Sequence, residues 1–141
     1  MPNLISNFVV LAGVVLIWTA SAATEVQPIS LSSGVHNNDG SEPRLAYAAV
    51  IAATNSLTRV RVHFGNYQLG TRSYARLQSV QDGQEQRLNT AAMKNWSSTS
   101  AMFNGSAVRV ELYVGSGDSG VFINADSVIG DCASCVANDP A

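Results

Sequence analysis

The sequence predicts an all-β protein, an antiparallel β-sandwich of the jelly-roll kind. Residues Leu57 to Phe64 (LTRVRVHF) and Ala107 to Val114 (AVRVELYV) alternate between apolar and polar side chains, which is the period of a half-buried strand. Turn pairs such as Asp82-Gly83 and Asn104-Gly105 separate the short apolar segments. Many short strands with a single possible helical turn are typical of two packed sheets.

The first 22 residues predict an export signal. Leu4 to Trp18 is almost uninterrupted apolar sequence, and Ala20-Ser21-Ala22 supplies the small residues that a signal peptidase accepts. A membrane-spanning helix needs about 20 apolar residues, more than this run offers. We therefore expect cleavage before Ala23 and a secreted or periplasmic protein that is free of the membrane afterwards. An uncleaved anchor is the alternative, because no Lys or Arg precedes the apolar run.

The other elements follow from turn signals and alternation. Thr24 to Gly40 is expected to begin as a short edge strand, and Arg44 to Ala53 is either a helix or a buried strand. The remaining predicted elements are a loop at Gly65 to Gly70, strands at Ser73 to Val80, Glu85 to Leu88 and Val121 to Ile129, and one helical turn at Asn89 to Trp96 with Thr90 as its cap.

Length and charge indicate one domain without a polyanionic partner. Residues 23–131 form the predicted β-sandwich, and residues 132–141 form a short tail or truncated linker. The 8 basic and 10 acidic residues form no run of one sign. This balance argues against nucleic acid and against an acidic membrane surface as the partner. We expect no cofactor.

The two cysteines of the tail, Cys132 and Cys135, have the C-x-x-C spacing. A reactive thiolate needs a helix N-terminus behind it, and the tail is too short to provide one. A zinc site needs four ligands, and no His lies near the pair, so we expect no metal. In an exported chain a small disulfide loop is the favoured interpretation, and pairing with a downstream segment or a partner is the alternative.

The tract Gly117-Asp118-Ser119-Gly120 is similar to the nucleophile loop of trypsin-like proteases. Those enzymes also need a His base and a carboxylate that orients it. The nearest match to their Thr-Ala-Ala-His segment is Thr90-Ala91-Ala92-Met93, where methionine replaces the base. We therefore predict a Gly/Ser turn without catalysis. A minimal hydrolase at Ser119 is the remaining alternative.

A longer resemblance covers roughly Leu57 to Gly130. Its landmarks are the V-x-V-x-F strand, the Leu-Gly loop, an S-Y-x-R-L strand, Asp-Gly, a lone Trp, Phe-Asn-Gly and a V-x-V-E-L strand. In this order they resemble the CUB-like β-sandwich accessory domain found N-terminal to trypsin-like peptidase domains in secreted bacterial proteins. The resemblance implies a companion of a peptidase, either as a separate module or as a fragment of a larger protease. The calcium site of CUB domains is not implied, because Ala75 follows Tyr74 where an aspartate is expected.

Candidate binding residues lie mainly on loops at one end of the predicted sandwich, Gly65 to Arg72 and Gly115 to Gly120. Tyr67, Tyr74 and Tyr113 are expected to be exposed, whereas Trp96 is more often core than a sugar-stacking surface. Acidic turn residues are expected to be solvated. The candidate set is Tyr67, Arg72, Trp96, Tyr113, Asp118 and Ser119.

These observations predict a secreted, non-catalytic accessory or binding module of a trypsin-like extracellular serine protease. Its partner would be a protein or glycan ligand, including a covalently linked peptidase domain. The alternative is a free-standing carbohydrate or cell-surface binding module that uses Trp96 or exposed tyrosines for stacking.

Overall fold

The protein is a sandwich of two four-stranded antiparallel sheets, and the computed structural model describes residues 23–54, 56–133 and 135. The expected signal peptide, residues 1–22, lies outside the described residues, as does the end of the tail from residue 136. The elements are β1 (Ala23–Ser32), β2 (Arg44–Ala52), β3 (Leu57–Gln68), β4 (Tyr74–Ser79), β5 (Glu85–Leu88), α1 (Thr90–Asn95), β6 (Phe103–Asn104), β7 (Ala107–Val114) and β8 (Phe122–Cys132).

The strand order is β1-β8-β3-β6 in one sheet and β2-β7-β4-β5 in the other. Successive strands therefore lie in opposite sheets, except for β4 and β5, which pair within one sheet. Strand β1 lies at an edge, as predicted, and is paired with β8 from Ala23 opposite Cys132 to Ser32 opposite Asn124. The predicted all-β sandwich is confirmed at this level.

The core is built from the inward side chains of the two alternating strands identified in the sequence. On β3 these are Val60, Val62 and Phe64, each at most 1% exposed. On β7 the inward residues are fully buried: Val108, Val110, Leu112 and Val114. Burial of one such side chain contributes about 1.5–3 kcal/mol, so a period of two in the sequence is enough to hold the sheets face to face.

Strand pairing decides one open choice and extends two strands past their predicted ends. Arg44 to Ala52 forms a strand, one of the two predicted alternatives, because it pairs along β7, but it is a largely exposed edge strand and the expectation of a buried one is wrong. Strand β3 continues through Gly65 to Gln68 by way of irregular register on either side of Phe64, so the predicted loop at Gly65 to Gly70 is wrong over most of its length. Strand β8 continues to Cys132, past the predicted end at Ile129, because β1 and β3 flank it on both sides.

The predicted helical turn is present as α1, but its cap is one residue earlier than expected. The Asn89 side chain accepts a hydrogen bond from the Ala92 N–H at 2.9 Å, which makes Asn89 the N-cap. The Thr90 hydroxyl donates to the Gly70 carbonyl at 2.9 Å and ties α1 to the loop after β3. The expectation of a Thr90 cap is therefore wrong.

In the described part of the chain, no helix has both the length and the apolar character needed to cross a membrane.

The C-x-x-C pair forms a disulfide at the end of β8. The Cys132 and Cys135 sulphurs are 2.00 Å apart. Cys132 is 2% exposed and belongs to the core cluster, where it lies opposite both Ala23 of β1 and Leu57 of β3. The disulfide therefore lies at the end of the sandwich where β1 begins.

Reduction of this disulfide is expected to destabilise the protein by about 2 kcal/mol, because the loop that it closes is very short. Urea unfolding with and without a reductant, both in a metal chelator, measures the difference. The double variant Cys132→Ser/Cys135→Ser should match the reduced wild type. Loss of the folded state on reduction would contradict this account.

Candidate binding site

The site begins with a carboxylate that joins two loops. Asp118, from the tract before β8, accepts hydrogen bonds from the Arg72 N–H at 2.8 Å and the Ser73 hydroxyl at 2.7 Å. The Thr71 hydroxyl donates to its other oxygen at 3.3 Å. Ser73 is 2% exposed and in turn accepts a hydrogen bond from the Gly115 N–H at 2.9 Å. The loop between β3 and β4 is thus fixed to the loop between β7 and β8.

The two loops touch so closely that glycine is required where they meet. A Cβ atom on Gly115 would lie 2.3 Å from the Arg72 Cβ and 2.5 Å from the Arg72 carbonyl oxygen. Gly70 has φ +64°, in the left-handed region that favours glycine, and a Cβ there would meet the Asp118 carboxylate at 3.0 Å. These glycines allow Asp118 to reach the backbone of the neighbouring loop.

The hydrogen bonds also decide the charge state of Asp118. Partial burial raises the pKa of its carboxyl, but the hydrogen bonds from Ser73, Arg72 and Thr71 outweigh burial. The net effect is a pKa below the ordinary value, so Asp118 is ionised at neutral pH. The predicted interpretation of Asp118 as a solvated turn residue is wrong, because its oxygens accept hydrogen bonds from protein groups.

Beside these loops, two tyrosines stack on the outer face of the β2-β7-β4-β5 sheet. Tyr74 of β4 lies opposite Tyr113 of β7, with ring centroids 5.0 Å apart and planes 14° from parallel. The Tyr113 hydroxyl donates to the Glu111 carboxylate at 2.8 Å. The Arg87 guanidinium lies over the Tyr74 ring at 5.0 Å, within cation–π range.

Glu111 is a buried carboxylate whose hydrogen bonds position the side chains of this face. It is 5% exposed, although the sequence placed it on the polar side of its strand. Burial raises the pKa of Glu111, but hydrogen bonds from Arg109 and Tyr113 and the charge of Arg76 lower it by more. The net pKa is below the ordinary value, so the carboxylate is ionised. The same contact holds the pKa of Tyr113 above its ordinary value, because the phenol donates to a carboxylate. Tyr113 is therefore a neutral donor fixed in place.

A shallow pocket lies where the loop meets the tyrosines. We call it the arginine–tyrosine pocket; its volume is about 220 Å³, and its lining residues are Thr71, Arg72, Ser73, Tyr74, Arg87, Asn89 and Ala92. Arg72 and Arg87 are exposed, and neither forms a salt bridge with an acidic residue of the described ranges. Arg76 and Arg109, in contrast, are neutralised by Glu85 and Glu111. The pocket therefore offers uncompensated positive charge beside an aromatic ring.

The structure brings together three of the predicted site residues and separates the others. Arg72 lines the pocket, Asp118 fixes its loop, and Tyr113 supports Tyr74. Tyr67 is half-buried and packs against the core, and Tyr113 is also half-buried with its hydroxyl bonded to Glu111, so the expected exposure of both tyrosines is wrong. Trp96 is 46% exposed at the C-cap of α1, so the expectation of a core Trp is also wrong. Met93 of α1 is buried instead, because a helix of 6 residues turns only one of its side chains towards the core.

Ser119 is exposed and lies next to Asp118 in the loop before β8. The His36 ring bonds the Ser33 carbonyl at 2.7 Å, and the His63 Nδ1 lies 2.6 Å from the Asp126 carboxylate. No hydrogen bond between residues of the described ranges joins Ser119 to either imidazole. The carboxylate before Ser119 is engaged in fixing a loop rather than in orienting a histidine.

Other clefts of the sandwich are larger but have less convergent chemistry. One of about 430 Å³ lies between the edge strands β1 and β2 and is lined by aliphatic and small side chains with Tyr47. Another of about 460 Å³ is lined by residues of β1, β3 and β8 and includes Asp126, whose pKa is lowered chiefly by its bond to His63. Neither cleft combines an unpaired charge with an aromatic ring, so their larger volume does not make either of them the candidate binding site.

Sequence analysis missed Arg87 and Asn89, and considered Tyr74 only as an exposed side chain. The alternation in Glu85 to Leu88 places Arg87 on the outer face, which was readable from the sequence. What was not readable is the register that pairs β4 with both β5 and β7, because it depends on contacts between distant segments.

Asp118→Asn is expected to lower the free energy of unfolding by about 1.5–3 kcal/mol at pH 7, the range for hydrogen bonds to a charged group. Because the folded-state pKa is depressed, this contribution is present above the unfolded pKa of about 3.9 and is lost as pH falls through the folded value. Measured by denaturant unfolding, the difference in unfolding free energy between the wild type and Asp118→Asn should be smaller at pH 3 than at pH 7. Asp39→Asn, in an exposed loop, serves as the control and should change little at either pH.

The distances and hydrogen bonds given above are those of this protein alone. A comparison with protein-family models, curated proteins and solved structures finds no match for this chain.

Proposed function

We propose that this protein is a secreted, non-catalytic binding module of a trypsin-like extracellular serine protease, and that it recognises an acidic group of a protein partner through the arginine–tyrosine pocket. The observation that carries the binding role is the pair of unpaired guanidiniums, Arg72 and Arg87, beside the stacked tyrosines. Arg and Tyr dominate the energetics of recognition surfaces because they combine area with directed hydrogen bonds.

The size of the pocket supports recognition of a single group. Small-molecule sites usually occupy about 300–1,000 Å³, and this pocket of about 220 Å³ falls below that range. A carboxylate fits a guanidinium fork, and an extended partner would continue across the outer face of the sheet. The fixed loop reduces the backbone entropy lost on binding, because Asp118 already holds the Arg72 backbone in place.

The strand order supports the jelly-roll and CUB-like assignment within the proposal. Two sheets in the order 1-8-3-6 and 2-7-4-5, with nearly every connection crossing between them, are the arrangement of an eight-stranded jelly roll. The link to a protease depends on the sequence resemblance, and secretion depends on the apolar N-terminal run. The disulfide fits an oxidising compartment.

Binding to an immobilised oligoglutamate peptide, compared with an oligoglutamine peptide, tests the recognition role. Arg72→Ala and Arg87→Ala should each weaken oligoglutamate binding by about tenfold, which corresponds to about 1.4 kcal/mol. Lys94→Ala removes an exposed cation outside the pocket and is the matched control. Equal losses in all three variants would mean that net charge, rather than the pocket, attracts the peptide.

A second candidate function, glycan binding, is favoured by the exposure of Trp96. Its indole provides an apolar surface on which a sugar ring could stack. Because the ring is exposed, Trp96→Ala should change stability by no more than about 0.5 kcal/mol. Loss of retention on immobilised polysaccharides with unchanged unfolding would favour the carbohydrate module, and unchanged retention would count against it.

The absence of catalysis has its own test. Incubation with a fluorophosphonate, which labels activated serines, is expected to leave the protein unlabelled, because Ser119 has no imidazole bonded to it in the described structure. Ser119→Ala is the control. Labelling of the wild type that disappears in this variant would overturn the non-catalytic proposal.

A further inference from the structure

The end of the sandwich that carries the disulfide also holds a carboxylate from a distant part of the chain. Glu25 lies near the start of β1, 110 residues from Cys135, and its Oε2 is 3.2 Å from the Cys135 sulphur. The Glu25 side chain lies on the half-buried side of β1, the side that also carries Ile29 and Leu31. A charge on the core-facing side of a strand is costly unless it has a partner.

The disulfide does not provide that partner. A sulphur in a disulfide carries no proton, so the short contact with Glu25 is not a hydrogen bond in the oxidised protein. Glu25 forms no salt bridge with a cation in residues 23–54, 56–133 or 135. Among the side chains that the structure describes, Gln27 donates the one hydrogen bond to Glu25, from its amide to Oε1 at 3.3 Å. The carboxylate thus lies beside a sulphur that donates no hydrogen bond to it in the oxidised protein.

The contact has a clear chemical meaning once the disulfide is open. The ligand atoms of Glu25, Cys132 and Cys135 all lie within 4.8 Å of one another. Thiolate and carboxylate are both ligands of Zn²⁺, which binds sulphur at about 2.3 Å and carboxylate oxygen at about 2.0–2.2 Å, and three protein ligands are enough for a site with one open position. Sequence analysis excluded zinc because the C-x-x-C pair lacked further ligands, and the fold supplies the third from the other end of the chain.

We infer that this cluster is a redox-gated zinc site, closed as a disulfide and opened by a dithiol reductant. The reductant transfers two electrons and two protons to the Cys132–Cys135 bond, which breaks to two thiols while the reductant becomes a disulfide. Zn²⁺ then displaces the two thiol protons and is held by both sulphurs and by Glu25. Three protein ligands leave the fourth tetrahedral position for water.

A second layer of hydrogen bonds orients the carboxylate. Gln27 donates to Glu25, and the Gln27 amide group also contacts Thr54, donating to its hydroxyl at 2.6 Å and accepting from its N–H at 3.1 Å. Outer groups of this kind hold metal ligands in the binding orientation. The sandwich therefore presents Glu25 before any metal arrives, and only the sulphurs have to separate.

Metal titration of the purified protein in both redox states tests the inference. A phosphine reductant opens the disulfide without chelating metal, taking up the oxygen of one water molecule to become the phosphine oxide. Co²⁺ added to the reduced protein should give the intense near-ultraviolet absorption of a thiolate complex at one ion per chain, and Zn²⁺ should displace it. The oxidised protein should give no such absorption.

Variants separate the cluster from unspecific thiol binding. Glu25→Gln should weaken Zn²⁺ binding to the reduced protein by about tenfold or more, measured by competition with a chromophoric chelator. Glu42→Gln, in an exposed loop, is the matched control and should bind as the wild type does. Cys132→Ser/Cys135→Ser should be folded and should not bind. Wild-type affinity in the Glu25→Gln variant would overturn the inference.

Circular dichroism of the reduced protein completes the test. The inference requires a folded sandwich, because only the fold brings Glu25 to the cysteines. The sheet spectrum should therefore persist on reduction, with or without metal. Metal binding by a reduced chain that has lost this spectrum would overturn the inference, since free thiols of an unfolded chain would then be the ligands. The outcome is independent of whether the arginine–tyrosine pocket binds an acidic partner.

Discussion

The structure depends on burying the inner faces of two sheets against each other. Strands β3 and β7 supply the centre of each sheet and alternate with a period of two, so their apolar side chains meet across the sandwich while the polar ones face outwards. This constraint fixes which residues are available for function. Residues on the outer faces and in the end loops lie outside this apolar core, and the candidate binding residues are drawn from them.

The two sites described above lie at places where the packing rule is broken. Glu111 is buried on a face that should be solvated, and it is tolerated because Arg109, Arg76 and Tyr113 satisfy it. Glu25 lies on the inward side of an edge strand, where inward charge also discourages edge-to-edge association. Glu111 thereby fixes the side chains around it, whereas Glu25 is itself oriented by a hydrogen bond from Gln27.

The trypsin-like tract Gly117 to Gly120 has a structural role in this protein. Asp118 and the flanking glycines are needed because two loops meet there within van der Waals distance, and the carboxylate replaces water as the acceptor for their donors. The hydroxyl of Ser119 remains outside this arrangement. The same four residues in a protease depend on a histidine from another segment, so the tract alone does not determine the chemistry.

The sequence by itself determined the alternating strands, the Asp82-Gly83 hairpin and the all-β class, because these follow from local side-chain periodicity and turn chemistry. It also singled out Arg72, Tyr113 and Asp118. Only the tertiary structure decided that these three lie together, that Tyr67 is packed inwards and Trp96 outwards, and that Glu25 meets Cys132 and Cys135. The reason is physical: such contacts join segments far apart in the chain, and they are set by strand register and sheet order, which local patterns do not encode.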